Sequence, residues 1–166
     1  MPISTRHAEI EDIRQLVALW KRFMIEENEA VPNANPAQAE RPWTTRLQIQ
    51  IANSKVIVAD NDGVLVGFLA FIDARDRPWV PARTAYVVDI YVAPEARETT
   101  AAKRLFSAAS EMLRASYAET WTNTHTRNRR MQILLKRAGF EPLVGFEIEG
   151  LRDPLYYRLD NRVARD

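Results

Sequence analysis

One stretch constrains the fold of this chain more than any other: the apolar run from Tyr86 to Val92, which stops at Pro94 and restarts as a helix. The run is rich in β-branched and aromatic residues, which predicts a strand buried on most of both faces. Beyond about Thr99 the apolar residues recur every three or four positions, which predicts an amphipathic helix running to about Tyr117. A buried strand that leads directly into a helix leaves the first helical N–H groups unpaired, so the turn is a candidate anion site. An ordinary strand-turn-helix unit that binds nothing fits the same pattern.

The composition is typical of a globular chain without a dominant charge. Of 166 residues, 46% are hydrophobic and 27% are charged, and 23 Lys and Arg balance 22 Asp and Glu. We therefore expect a single domain over residues 1–166, whose net charge of +1 is too small to draw it onto nucleic acid or a membrane. Cysteine is absent and the two histidines, His7 and His125, are far apart, so neither a catalytic thiol nor a metal site is expected. The N-terminus lacks the apolar core of a signal peptide and no run is long enough to span a bilayer, so a cytoplasmic location is expected.

The N-terminal third predicts a strand, a helix and then a long loop. Residues 3–7 suit a short strand, and a helical apolar stripe begins near Glu9 and reaches Phe23. Three prolines and two asparagines then predict a long loop over residues 24–42 rather than a regular element. A short helix is expected over residues 44–52.

The rest of the chain alternates strands and helices. Two β-branched runs, 55–59 and 64–72, are joined by Asp-Asn-Asp-Gly, which is typical of a tight antiparallel hairpin. A polar link over 73–83 leads to the opening strand and helix. The later elements are a strand over 119–125, a helix over 126–138 ended by Gly139, and a closing pair of strands over 140–149 and 155–159. This order predicts an α/β fold of the α+β type, with a mixed, mostly antiparallel, twisted sheet of about six or seven strands and helices on both faces.

That order and four motifs resemble the GCN5-related N-acetyltransferase (GNAT) family over roughly residues 2–158. The motifs are Val92-Ala93-Pro94-Glu95-Ala96-Arg97 before a helix, Asn128 with Leu134 and Gly139-Phe140, the hairpin, and the N-terminal helix with its loop. The resemblance implies an acyl-CoA N-acyltransferase-like fold. It also implies transfer of an acetyl group from acetyl-coenzyme A (acetyl-CoA) to a primary amine of a small molecule or peptide by direct attack, without a metal.

The same resemblance implies a coenzyme site at the end of the opening strand and the starts of two helices. Its residues would be Ile90, Tyr91, Val92, Arg97, Glu98, Thr99, Thr100, Ala101, Ala102, Lys103, Asn128 and Leu135. Glu98, Thr100 and Ala102 stand where the family has glycines, which let backbone N–H groups approach a phosphate. We expect Glu98 to point into solvent and to weaken the coenzyme's binding rather than abolish it. Leu135 stands where many members have a tyrosine that protonates the leaving thiolate.

Asp89 is the leading catalytic candidate because it is an acid in the middle of an apolar strand. Alternation places it on the same face as Tyr91. A buried charge needs a partner, which favours a role as a base or in orienting the acceptor. Pairing with an arginine such as Arg83, or contact with water, explains Asp89 as well. The proton for the thiolate would come from elsewhere in the protein or from water, with Tyr91 as the first candidate and Tyr156 and Tyr157 as the others.

The acceptor amine is expected to bind near the N-terminal helix and the long loops. Glu26 and Glu27 would attract a cationic acceptor, although such charge runs are more often solvated faces. Trp43 and Trp79 each lie beside prolines and would line the acceptor pocket or pack the loops onto the body. His125 would lie near the acceptor or cap the following helix.

Two other classes of function fit parts of the pattern. The departures at the expected glycines favour a non-catalytic member of the fold that binds the coenzyme or a protein partner. The basic residues between 127 and 137 would suit a nucleic-acid module, but the near-zero net charge makes nucleic acid an unlikely partner. A homodimer formed through the last strands is compatible with the sequence, which does not identify the acceptor.

Overall fold

The computed structural model describes residues 3–30, 36–73, 83–144 and 154–162. Within them the strands are β1 (Ser4–His7), β2 (Val56–Asn61), β3 (Val64–Asp73), β4 (Thr84–Val92), β5 (Glu119–His125), β6 (Glu141–Pro142) and β7 (Pro154–Asp160). The α-helices are α1 (Ile13–Ala30), α2 (Pro36–Ala52), α3 (Ala101–Ser116) and α4 (Arg129–Arg137), and short 3-10 helices cover Ile10–Asp12 and Pro94–Ala96. The element order is the predicted one.

The strands form one sheet in the order β1-β2-β3-β4-β5-β7-β6. β1 pairs antiparallel with β2, and β2 pairs antiparallel with β3. β4 and β5 are parallel, and β7 pairs antiparallel with both β5 and β6. The prediction of a mixed, mostly antiparallel sheet of six or seven strands is therefore confirmed.

Contacts between Cα atoms group the chain into two compact units. The first comprises Met1–Phe71 and Asp89–Ala108, and its core includes the fully buried side chains of Leu16, Leu47, Phe68 and Leu105. The second comprises Ile72–Val88 and Ala109–Asp166. Its core contains Tyr86, Trp121 and Tyr156, with Ile72, Val88 and Leu143 packed against them.

The predicted long loop over residues 24–42 is wrong for most of its length. α1 continues to residue 30 and α2 already begins at Pro36, while residues 31–35 lie outside the described part. A proline at the first helical position costs no hydrogen bond, because that N–H has no partner in any helix. Pro42 does remove one intrahelical bond, but burial of Trp43 and Leu47 on the same helix offsets that loss.

The hairpin, the opening strand and helix, and the helix after β5 are confirmed. The hairpin turns through Asp62 and Gly63, both with positive φ, as its sequence predicts. Gly139 has a φ of 81°, which matches its predicted role as the end of α4. The closing strands pair with each other and are antiparallel, and β6 covers Glu141–Pro142 among the described residues. Residues 145–153 of that pair and 74–82 of the polar link lie outside the described ranges.

One ion-pair cluster holds the N-terminal end of the first unit. The guanidinium of Arg6 donates to both oxygens of Asp12, at 2.7 and 3.0 Å, and also to Asp60 at 3.0 Å. Asp12 is buried and accepts a further hydrogen bond from the Glu9 backbone N–H at 2.8 Å. The Arg6 hydrogen bonds outweigh burial, so the pKa of the Asp12 carboxyl lies below its usual value. This cluster joins β1, the first 3-10 helix and β2.

Candidate active site

The turn after β4 is held by backbone groups and by one arginine side chain. Beyond Val92 the chain leaves the strand, and Ala93 donates its N–H to the carbonyl of Val66 at 2.9 Å. Pro94 then opens a short 3-10 helix, where its missing N–H is not needed. The Nε of Arg97 donates to the Val92 carbonyl at 2.8 Å. The direction of the chain between β4 and α3 is therefore determined at three positions: Ala93, Pro94 and Arg97.

The start of α3 is only partly capped. The Thr99 hydroxyl accepts a hydrogen bond from the Ala101 N–H at 3.2 Å and donates to the Ala96 carbonyl at 2.6 Å. Four other amides in this stretch donate to no acceptor in the described part of the chain: Glu98, Thr100, Ala102 and Lys103. Unpaired amides at a helix start attract an anion. The Glu98 residue is exposed, as its predicted orientation toward solvent requires.

The side chain of Arg97 points back onto β4 and α1. Its guanidinium is hydrogen-bonded to the Glu26 carboxylate, and its Cζ lies 5.6 Å from the centre of the Tyr91 ring. Only 20% of the side chain is exposed. Arg97 was predicted to bind the coenzyme. In the structure the charge of its guanidinium is already paired with Glu26.

Glu26 joins that arginine to a buried tyrosine. The Tyr91 hydroxyl donates to Glu26 Oε1 at 2.6 Å. Burial and the hydrogen bond to the carboxylate raise the pKa of Tyr91 to about 12. Burial alone would raise the pKa of Glu26, but the hydrogen bonds from Tyr91 and Arg97 bring it below the usual value. Glu26 was predicted to attract a cationic acceptor, and in the structure its carboxylate is engaged; the side chain of Glu27 lies outside the described part.

A second contact attaches α1 to the same turn. Arg22 binds the Glu95 carboxylate with both terminal nitrogens, at 2.9 and 2.6 Å. The hydrogen bond from Arg22 lowers the pKa of the exposed Glu95 to about 2. This pair was not predicted, because nothing in the sequence relates residues so far apart. Together, the Arg22–Glu95 pair and the Glu26 contacts attach α1 to the turn that precedes α3.

Asp89 is a nearly buried carboxylate paired with Arg46 of α2. Its side chain is 11% exposed, and the guanidinium of Arg46 is hydrogen-bonded to Oδ2. Burial raises the pKa of Asp89, and the nearby Arg46 charge and the Trp43 indole N–H act in the opposite direction. The Trp43 nitrogen is buried and makes no hydrogen bond within 3.5 Å, so its effect on Asp89 is a longer-range contact. Pairing with an arginine was one of the two alternatives considered for Asp89, but the partner is Arg46 rather than Arg83.

Arg46 was missed by the sequence analysis, although a signal was present. It is the only charged residue in the predicted helix over 44–52 and lies one turn after Trp43. A single cation in an otherwise uncharged amphipathic helix suggests a specific partner.

Aromatic rings pack between the two helices and β4 in the first unit. Trp43 stacks on Trp20 with 4.8 Å between ring centres and meets the edge of Phe68 at 6.0 Å. Tyr91 in turn lies 6.4 Å from Phe68 and 5.8 Å from Phe23. Trp43 therefore packs α2 onto the body, one of the two alternatives considered for it, while its indole nitrogen lies beside Asp89.

The remaining predicted residues belong to the second unit. Asn128 caps α4, with its Oδ1 accepting the Met131 N–H at 3.0 Å, while its Nδ2 donates to no described group. Leu135 is 1% exposed and packs in a core. The His125 carbonyl accepts the Asn128 N–H at 3.0 Å, so its backbone takes part in the turn before α4. Trp79 lies outside the described residues.

Tyr156 and Tyr157 are both buried in the second unit. Burial raises the pKa of Tyr157.

Two features are absent from the part of the chain that the structure describes. No three His, Cys, Asp or Glu side chains come close enough together to hold a metal ion. None of the described helices combines the length and the apolar character needed to cross a membrane.

Comparisons with known proteins agree with this architecture. No curated protein sequence matches the chain significantly. The structure is similar to the PaiA N-acetyltransferase of Thermoplasma acidophilum, crystallised with coenzyme A, at a TM-score of 0.77 and 18% identity, covering 96% of this chain and 99% of that one. It is also similar to an N-acetyltransferase of Staphylococcus aureus Mu50, at a TM-score of 0.75 and 23% identity, covering 98% and 100% of the two chains.

A third similar structure is a phosphinothricin acetyltransferase of Sinorhizobium meliloti in complex with acetyl-CoA. Its TM-score is 0.73 at 20% identity, with 96% of this chain and 89% of that one covered. At these identities the three structures show a shared fold. The sequence model of the acetyltransferase (GNAT) family matches residues 16–140, which is most of the chain. The chain therefore belongs to the GNAT family of acetyltransferases.

Proposed function

We propose that this protein is an acetyl-CoA-dependent N-acetyltransferase that moves an acetyl group to a primary amine by direct attack. The observation that carries the proposal is the pairing, in one unit, of unpaired amides at the start of α3 with a nearly buried carboxylate on β4. The unpaired amides are suited to bind an anion, and the Asp89 carboxylate is suited to bind an ammonium group. The Thermoplasma and Sinorhizobium proteins contain coenzyme A and acetyl-CoA, which supports the choice of co-substrate.

The residues at the start of α3 fit the pyrophosphate of the coenzyme. The unpaired amides of Glu98, Thr100, Ala102 and Lys103 are donors of the kind that bind phosphate. The exposed side chain of Lys103 adds a positive charge, which offsets the carboxylate of Glu98. We assign the pantetheine arm to the backbone of Ile90–Val92. Acetyl-CoA supplies the activated thioester.

Asp89 is proposed to orient the acceptor and to take up its proton. A primary amine with a pKa of about 10.4 is almost wholly protonated at neutral pH and cannot attack until a proton leaves. The Asp89 carboxylate accepts a hydrogen bond from the ammonium, and its raised pKa makes it a stronger base than an exposed aspartate. In the overall exchange the amine nitrogen gains the acetyl carbon, the bond from that carbon to sulfur breaks, and the thiol is released with one proton.

Water is proposed as the source of the proton for the leaving thiolate. Leu135 stands where many family members have a tyrosine. Its side chain is buried and has no acidic proton to donate. The Tyr91 hydroxyl already donates to Glu26, and its pKa of about 12 means that it holds its proton tightly. A thiolate with a pKa of about 8.5 can be protonated by water at a useful rate. Tyr91 is then a positioning residue for the end of β4.

The test is a thiol-release assay with acetyl-CoA over a panel of primary amines, combined with calorimetry of coenzyme A binding. We expect binding of the coenzyme and thiol release above the rate of hydrolysis for at least one amine. Absence of coenzyme binding at millimolar concentration would contradict the proposal.

A second candidate function is that of a coenzyme-binding protein without turnover. Glu98 beside the unpaired amides and Leu135 in the core favour it, because both replace residues that the family uses for binding and protonation. The same experiment separates the two: coenzyme binding without amine-dependent thiol release supports the second.

A further inference from the structure

The acids around the proposed acceptor site are already neutralised. Four carboxylates on α1, α2, β4 and the turn form ion pairs within the first unit: Glu26 with Arg97, Glu40 with Lys21, Glu95 with Arg22 and Asp89 with Arg46. In each pair the cation offsets the charge of the carboxylate, so the four pairs together carry no net charge. A polycation would therefore meet little net negative charge at this set of side chains.

The arginine that pairs with Asp89 is placed on its solvent side. The Arg46 side chain is 44% exposed, whereas that of Asp89 is 11% exposed. An ammonium group that reaches the Asp89 carboxylate must therefore come to lie beside a guanidinium. Two like charges at this separation repel, and the repulsion is removed when the acceptor carries its own negative charge next to Arg46.

Arg46 has donors to spare for such a group. Of the N–H groups on its guanidinium, only Nη2 makes a hydrogen bond among the described residues. Guanidinium groups bind carboxylates through two parallel hydrogen bonds, and the planar shape of the group allows this while one edge remains on Asp89. The buried N–H of Trp43 lies near Asp89 without a hydrogen bond of its own, so it is a donor that this carboxylate can take up when Arg46 turns toward a ligand.

We propose that the acceptor is an amino acid, with its ammonium on Asp89 and its carboxylate on Arg46. This inference rests on the proposed function and specifies its substrate class. The charged groups of Asp89 and Arg46 are in direct contact. The ammonium and carboxylate of an α-amino acid are also close together, because both are attached to the same carbon. The ion pair of the protein and the ion pair of the ligand are then complementary, with each charge facing its opposite. Amines without a carboxylate, such as polyamines, leave the positive charge of Arg46 without a partner on the ligand.

The experiment compares amino acids with the amines obtained by removing their carboxyl group, for example phenylalanine with phenethylamine and lysine with cadaverine. Thiol release gives kcat/KM for each, and calorimetry with the coenzyme A-loaded protein gives binding without turnover. We expect the amino acid of each pair to be preferred by about 10- to 100-fold, the range of a hydrogen-bonded charge pair. The Arg46→Gln variant should lose that preference through a higher KM for the amino acid, and Arg46→Lys should keep part of it.

Arg41→Gln is the matched control, because Arg41 is an exposed arginine of the same helix that has no contact with Asp89. It should leave the preference unchanged. Equal use of both members of each pair by the unmodified protein, or an unchanged preference in Arg46→Gln, would overturn the inference. The binding measurement separates this from the proposed function. If amino acids bind preferentially and Arg46→Gln abolishes that preference, but no amine is acetylated, the assignment of the acceptor class stands and the proposed catalysis fails. If binding shows no preference for amino acids, the assignment of the acceptor class fails.

Discussion

Adding one methyl group to Gly67 of β3 tests whether close packing beneath the end of β4 positions the proposed coenzyme site. A Cβ at this position would lie 2.8 Å from the carbonyl oxygen of Tyr91, 3.2 Å from Val92 Cγ2 and 3.3 Å from Leu105 Cδ1. The first contact is with backbone, which cannot turn aside as a side chain can. The Gly67→Ala variant must therefore displace β4, β3 or both.

The magnitude follows from that geometry. An ordinary contact begins near 3.4 Å, so the Tyr91 carbonyl would have to move by several tenths of an ångström. Overpacking of this kind costs about 1–3 kcal/mol, from which about 0.5 kcal/mol is recovered because alanine is favoured over glycine in a strand. For a chain of this length each kcal/mol lowers the Tm by about 2–4 °C, so we expect a fall of roughly 1–10 °C. The KM for acetyl-CoA should also rise, since the moved backbone is the stretch assigned to the pantetheine arm.

Thermal unfolding, urea unfolding and acetyl-CoA kinetics measure these effects. Gly63→Ala is the control: it lies in the hairpin turn with φ +84°, and its Cβ would meet nothing within 4 Å. It should cost about 1 kcal/mol through the backbone alone and leave the KM unchanged. An unchanged Tm for Gly67→Ala, or the same KM change in both variants, would refute the reasoning.

Three further predictions concern single carboxylates and one hydroxyl. Asp89→Asn should lower kcat by about 100-fold or more, while circular dichroism shows that the variant is folded; an unchanged rate would remove Asp89 from the mechanism. In the unmodified enzyme, kcat/KM should fall on acidification with an apparent pKa above that of an ordinary aspartate. Tyr91→Phe should lower kcat by less than about 10-fold, whereas a 100-fold loss would make Tyr91 the acid. Because the pKa of Asp12 is lowered in the folded state, its pair with Arg6 stabilises the protein above about pH 4 and is lost as the pH falls through the folded-state pKa. Asp12→Asn should therefore lower the free energy of unfolding at pH 7 by about 1–2 kcal/mol, a small value because Arg6 is partly exposed to solvent. Urea unfolding at a series of pH values should show that the variant loses less stability below about pH 4 than the unmodified protein.

The element order, the hairpin and the strand-turn-helix around Pro94 could be predicted because their signals are local. Alternation, helical periodicity and turn residues act over a few positions and are readable without knowing the rest of the fold. The same locality explains the wrong loop over residues 24–42. Prolines are local signals against a helix, and the opposing free energy comes from burial of Trp43 and Leu47 against distant residues.

The candidate site likewise has features that local sequence predicts and features that it does not. An acid within the apolar run of β4 implied a buried carboxylate with a partner, and the sequence alone determined that much for Asp89. Only the tertiary structure decided that the partner is Arg46, that Glu26 binds Tyr91 and Arg97, and that Arg22 holds Glu95. These pairs join residues from 43 to 73 positions apart, and burial, hydrogen bonding and charge pairing at such separations depend on how the whole chain closes. Sequence patterns are local, and the choice of partner for a charge is not.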